Sequence, residues 1–320
     1  MAGSVAGSAI EVDGQRMDPM MATLVRAARR MAPGQGAPEA AGVDTASLEA
    51  LRRQYASSPG LVGLWPDRTV QVEDALAGGV PARRYVPPGT ARGTLVFLHG
   101  GGFMMGGLDS HDALCRAVAA EARLRVLSVA YRLAPEHPYP AAVDDALAAW
   151  DWAVAHEEGP LGVGGDSAGG NLAAVVAAAR PGAGGPALQA LLYPVVDMVG
   201  EYASVATFSK GFLLTEEGLH ACAGMYMPDG VDRAGPRLSP LRADLRGTAP
   251  AVIAAAGFDP LRDQGAAYAA ALTAAGVPVT SWCEEGLVHG FADFAGVVPA
   301  ARRAVWRWIE AVGQGMGGER

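Results

Sequence analysis

Lysine is almost missing from this 320-residue sequence; Lys210 is the sole one, and arginine supplies the other basic side chains. A mechanism built on a catalytic lysine has one candidate, and no serine stands three residues before it, which argues against S-x-x-K chemistry. No basic run is available to neutralise phosphates, and the formal net charge is −8, so nucleic acid is not an expected partner. Cysteine is scarce: Cys115, Cys222 and Cys283 lie far apart with no C-x-x-C pair. That excludes a disulfide framework or zinc site and points to a reducing compartment, with all three expected as small core residues. No apolar run approaches the roughly 18 residues of a membrane span, and the N-terminus has no basic segment followed by an apolar one. A soluble, cytoplasmic protein without a membrane anchor is the expectation.

What is present is a globular composition, half hydrophobic and 18% charged, long enough for a sizeable core. From residue 70 onward, apolar runs alternate with amphipathic or alanine-rich stretches. Strands are expected at 70–76, 81–86, 94–99, 126–131, 161–165, 187–193, 250–257 and 277–283. Helices are expected at 110–122, 141–156, 168–179, 262–275 and 299–312. Such alternation implies right-handed crossovers and a mostly parallel α/β sheet of about eight strands, with helices on both faces. Gly78 and Gly79 join the first two strands as an antiparallel hairpin at the sheet edge. The last strand, exposed at the other edge, offers with its following helix a surface for a homodimer.

Two segments fall outside this rhythm. A helix is expected around 18–31, with Met17, Met20, Met21, Leu24 and Met31 mostly on one face. Residues 199–248 are too long for an ordinary connection and read as an inserted helical element, with Met198, Met225 and Met227 in it or at its edge. Methionine stripes are ordinary core packing, but these two segments can also meet as one adaptable apolar lid. The expected division is a catalytic core over 66–198 and 249–320, and a helical cap over 1–65 and 199–248.

The chemistry-bearing stretch is LGVGGDSAGGNLAAVVAAA, residues 161–179. A strand, a tight turn and a helix follow one another, with Ser167 inside Gly165-Asp166-Ser167-Ala168-Gly169, a G-x-S-x-G elbow. The flanking glycines fit a turn with no room for side chains. The serine then sits at a helix N-terminus, where the dipole favours negative charge. A serine hydroxyl needs a base, and the base an orienting acid, in the chain order Ser, acid, His. Two histidines follow Ser167. His220 falls inside the insertion, whereas His289 follows the last strand and is the better base. Asp259 ends the preceding strand on the side where open α/β sheets place their sites. Asp263, Glu284 and Glu285 are the alternatives for the acid.

Residues 94–107, TLVFLHGGGFMMGG, pose the question of what three glycines do after a strand. A P-loop would need lysine where Gly107 or Leu108 stands, and a dinucleotide fingerprint would need glycine at Met105. The loop fits instead as a source of backbone N–H donors for a tetrahedral oxyanion, from Gly101 and Gly102, with Ala168 after the serine.

HGGGF (99–103), YRLAPEHPYPAAVDD (131–145), GDSAGGNLA (165–173), YPVVD (193–197), DPLRD (259–263) and HGF (289–291) together resemble the bacterial hormone-sensitive-lipase family of α/β-hydrolase esterases. The resemblance implies the α/β-hydrolase fold with a helical cap, and Ser167, Asp259 and His289 as nucleophile, acid and base. It implies an oxyanion loop that His99 shapes by hydrogen bonding, with Gly100, Gly165, Asp166 and Gly169 as supporting motif positions, and structural roles for Tyr131, Glu136 and Asp144. The expected function is a cofactor-independent, metal-independent serine carboxylesterase acting on short- to medium-chain acyl esters. An amidase, lactonase or acyltransferase with the same triad remains open, as does a ligand receptor on this fold.

Overall fold

The computed structural model describes residues 9–31, 45–57 and 63–317. Parts of the expected cap segment, 1–8, 32–44 and 58–62, lie outside this set, as does the side chain of Met31. The eight expected strands all form: β3 (Gln71–Ala77), β4 (Val80–Val86), β5 (Thr94–Leu98), β6 (Arg125–Val129), β7 (Leu161–Asp166), β8 (Leu188–Leu192), β9 (Ala251–Phe258) and β10 (Val279–Val288). They make one sheet in the order β10-β9-β8-β7-β5-β6-β4-β3. Pairing is parallel from β10 to β6 and antiparallel where β4 meets β6 and β3. The inner parallel strands β5, β8 and β9 are buried along their whole length because both faces are covered, whereas the edge strand β10 is largely exposed. In β5, Leu95 and Phe97 enter one core, and Val96 and Leu98 the other. The first core lies under α3 (Asp112–Ala122) and α9 (Pro299–Met316), the second under α4 (Ala141–His156), α5 (Ala168–Ala179) and α8 (Arg262–Ala274).

Two elements run four or more residues past their expected ends. Strand β10 runs to Val288, so Glu284 and Glu285 belong to the strand, across an irregular register between Glu284 and Val288. Helix α9 continues four residues past the expected end at 312, through Gly313 and Gly315, the second of which lies close to a neighbouring side chain. A Cβ on Gly313 would make only ordinary contact with Ala122 at 3.4 Å, but one on Gly315 would lie 2.9 Å from the Leu188 side chain.

The segments outside the rhythm are helical. Asp18 caps α1 (Pro19–Met31) by accepting the Met20 and Met21 amides at 2.9 and 3.1 Å. A two-residue hairpin, β1 (Glu11–Val12) with β2 (Gln15–Arg16), and a second N-terminal helix, α2 (Thr45–Ser57), have no counterpart in the sequence reading. The insertion carries α6 (Ala203–Phe208), α7 (Glu216–Tyr226) and a single 3₁₀ turn, Pro240–Arg242. Helix α1 does meet the insertion: Arg29 donates to the Gly211 carbonyl at 2.7 Å and lies over the Phe212 ring. Met21 on this helix and Met17 just before it serve as core packing and not as a lid. Met17 and Met21 are buried with Phe208, Phe212 and Phe258 in the first core, because the helix lies along that face.

The expectation of three core cysteines holds for Cys115 alone. Cys222 is half-buried, and Cys283 is exposed on the edge strand β10.

Candidate active site

The turn between β7 and α5 has the constraints that G-x-S-x-G implies. Ser167 holds φ +51°, ψ −117°, a conformation costly for any residue with a Cβ. It is retained because the Ser167 amide donates to the Leu192 carbonyl at 2.9 Å, and the Ser167 carbonyl accepts from Asn171 and Val195. A Cβ on Gly165 would lie 2.4 Å from the Leu98 carbonyl oxygen, and one on Gly169 only 1.9 Å from it. Both glycines therefore let α5 start against the end of β5.

The strand ends bring two further side chains to Ser167. His289, directly after β10, places Nε2 2.9 Å from Ser167 Oγ and Nδ1 2.8 Å from Asp259 Oδ2. Asp259, directly after β9, is fully buried, and its other oxygen accepts the Leu261 amide at 2.8 Å. The edge of the Tyr193 ring packs on the imidazole, 4.8 Å between centroids. The competing residues are elsewhere. His220 is exposed on α7. Asp263 caps α6 through the Ser204 amide and pairs with Arg262. Glu284 accepts from the Trp282 indole at 2.6 Å, and Glu285 is exposed.

The glycine loop lines the same cavity as this serine. Gly101 and Gly102 have φ +119° and +62°, where side chains are strained. Added Cβ atoms would also collide, at 2.2 Å with the Met105 carbonyl and 2.5 Å with the Cys222 sulfur. Among the described residues, the amides of Gly101, Gly102 and Ala168 have no hydrogen-bond acceptor. His99 stays outside the reacting atoms: its Nδ1 lies 2.8 Å from the Gly100 carbonyl, and its ring stacks on Tyr131, whose hydroxyl donates to the His99 carbonyl at 2.6 Å. Burial, helped by nearby His111, pushes His99 down to about 4. Asp166 accepts the Gly100 amide at 2.8 Å and so ties the elbow to the glycine loop. Asp144 pairs with Arg237 of the insertion.

Four residues here carried no signal in the sequence reading. His111, at the start of α3, sits 3.0 Å from Asp166 in a buried pair. Burial disfavours the His111 cation, yet the Asp166 carboxylate outweighs that and its pKa rises; burial would likewise raise Asp166, and His111 and the Gly100 amide lower it. Asp293 lines the cavity, and burial pushes it up to about 6, with Asp166 adding like charge against the pull of His111 and His289. Tyr55 and Arg52 come from α2, Tyr55 into the cavity wall and Arg52 onto the glycine loop. The cavity measures about 340 Å³, and its walls are largely apolar, with Phe103, Met105, Met198, Leu219, Met227 and Phe294 among them.

This chain is similar to proteins that hydrolyse esters. A family model described as alpha/beta hydrolase fold matches residues 95–293. Carboxylic ester hydrolase LipN of Mycobacterium tuberculosis is 44% identical over 309 residues, covering 89% of this chain and 80% of that protein. Ethyl acetate hydrolase of Pseudomonas putida is 36% identical over 300 residues, covering 88% and 94%. The solved structure of an ester hydrolase from the metagenome of Lake Arreo, complexed with a derivative of bipyridine phosphonate, matches with a TM-score of 0.85 at 34% identity, over 94% of this chain and all of that one (100%). The chain belongs to the α/β-hydrolase fold family, in its hormone-sensitive-lipase-like branch. It is a carboxylic ester hydrolase.

Proposed function

We propose that the reaction runs through an acyl-enzyme on Ser167. The Ser167 oxygen attacks the ester carbonyl carbon while His289 Nε2 takes the hydroxyl proton, and buried Asp259 stabilises the imidazolium. The carbonyl electron pair moves onto oxygen, which the amides of Gly101, Gly102 and Ala168 receive. Collapse expels the alcohol, protonated by His289. Water, deprotonated by His289, then releases the carboxylic acid and regenerates the serine. The observation that carries this reading is the continuous chain Ser167–His289–Asp259 at 2.9 and 2.8 Å, with its carboxylate end fully buried. Ser167→Ala is expected to keep its melting temperature and lose hydrolysis of p-nitrophenyl acetate and butyrate by at least about a thousandfold. Undiminished turnover overturns the assignment. Covalent labelling of Ser167 by a fluorophosphonate separates this enzyme from a ligand receptor on the same fold.

The apolar cavity of about 340 Å³ supports short- to medium-chain acyl groups as substrates. We assign the catalytic core to 66–198 and 249–320, and the cap to 1–65 and 199–248. No described helix is long and apolar enough to cross a membrane, and the cysteines Cys115, Cys222 and Cys283 are free. These fit the cytoplasmic location that we propose. The outer edge of β10 is the surface through which we expect two copies to pair.

A further inference from the structure

Helix α2 reaches the glycine loop through Arg52. Arg52, 24% exposed, donates from Nε to the Met104 carbonyl at 2.8 Å and from Nη2 to the Ala134 carbonyl at 2.9 Å. Both Nη atoms also meet Glu136, each at 2.8 Å in a two-pronged pair. Three acceptors more than fifty residues away in sequence thus converge on one planar fork, a geometry that an ammonium group cannot copy.

The acceptors are the parts of the structure that orient the loop. The amides of Met104 and Met105 both donate to the Gly101 carbonyl, at 3.1 and 3.0 Å. That carbonyl and the Gly102 N–H share one planar trans peptide and point in opposite directions. Whatever holds Met104 therefore aims the Gly102 N–H. Between them, Phe103 sits at φ +63°, which a residue with a Cβ adopts only when its surroundings compel it. The Phe103 carbonyl accepts the Ala134 amide at 2.9 Å, and its ring stacks on Tyr226 at 3.8 Å. Arg52 thus grips the loop at Met104 and also grips Ala134, the residue that holds Phe103.

We propose that Arg52 is a positioning residue: by fixing the Met104 and Ala134 carbonyls, it keeps the Gly101–Gly102 peptide aimed at the oxyanion, with Glu136 holding the guanidinium in place. This rests on the reading of Gly101 and Gly102 as oxyanion donors. Docking α2 and forming the oxyanion hole are then one event. Tyr55, three residues further along the helix, enters the same cavity wall.

The test compares Arg52→Met, Arg52→Lys and Glu136→Gln with Gly101→Val, using p-nitrophenyl acetate as substrate and a methyl trifluoromethyl ketone as inhibitor. The ketone adds Ser167 Oγ to its carbonyl carbon, so its carbonyl oxygen becomes the anion that the loop must hold. Arg52→Met is expected to lower kcat about tenfold with KM within about twofold, and to weaken the ketone by the same factor as kcat. Arg52→Lys recovers little of this, and Glu136→Gln loses about twofold. A helix that merely came loose would instead move KM, through Tyr55, and leave the ketone alone; that result overturns the proposal. Normal kcat and normal inhibition in Arg52→Met, beside an inactive Gly101→Val, also overturn it while leaving the oxyanion reading intact. A Gly101→Val enzyme with full activity removes both. Should Arg52→Met fail to fold, Arg52→Lys decides: a lysine enzyme with unchanged kcat and ketone affinity ends the proposal.

Discussion

Half-buried Asp293 and fully buried His99 are titratable groups within the same region, and they respond to pH with opposite sign. The Asp293 carboxyl is raised to about 6 from an ordinary value of 3.8. Between those values the folded chain holds a proton that the unfolded chain has lost, so this group makes stability fall as pH rises through the window. His99 is lowered to about 4 from 6.5, so the unfolded chain binds the extra proton, and stability falls as pH drops. Asp293→Asn is expected to raise the melting temperature at pH 8 and to change it little at pH 4. Melting curves across pH 4–8 check this, and a variant less stable at pH 8 contradicts the assignment. His111 and His289 both pull Asp293 down, against the effect of burial. None of this is visible in the HGFADF stretch, where Asp293 is one more acidic residue in a loop.

At the scale of elements, the site depends on how closely α5 approaches β5. Gly169→Ala places a Cβ 1.9 Å from the Leu98 carbonyl oxygen, a main-chain atom in the middle of the sheet. The helix must retreat, at a cost of about 1–3 kcal/mol or more, and Ser167 moves with its first turn. A lower denaturant midpoint together with lower turnover is the expected result; a stable variant with normal turnover would show that the elbow tolerates a wider gap. The same comparison explains which elements were legible. Strands such as β5 and β7 and helices such as α5 follow apolar periodicity and were expected within a residue or so. Helix α2 was not, because the charged and polar residues of LEALRRQYAS give it no strong apolar stripe, and only its contacts with the glycine loop and the cavity make it informative.

For the whole molecule, the sheet has two edges with different fates. β3 closes one as the outer member of a hairpin. β10 ends the other, with the N-terminal segment touching it where the Asp18 amide donates to the Gly286 carbonyl at 2.9 Å. An exposed strand edge is a template for pairing with a second copy. Sedimentation velocity is expected to give about twice the 32.7 kDa chain mass, and a charged substitution such as Ser281→Lys is expected to shift the species towards monomer. A monomer across the micromolar range removes this surface from consideration.

The sequence by itself determined the order of strands and helices, the elbow at Ser167, and the placement of Asp259 and His289 at strand ends. These follow from short-range periodicity and from the fixed polarity of a parallel sheet, whose strand ends gather on one side. It also favoured a glycine loop for N–H donors over one for phosphate, because the lysine and the spacings that phosphate sites need are missing. Only the tertiary structure decided what faces that site. Arg52 reaches Met104 and Ala134, Tyr55 and Met227 share a cavity, and His111 pairs with Asp166 across stretches of chain with no local relation. Such contacts arise from how the surfaces of packed elements meet, and no spacing along the chain encodes them.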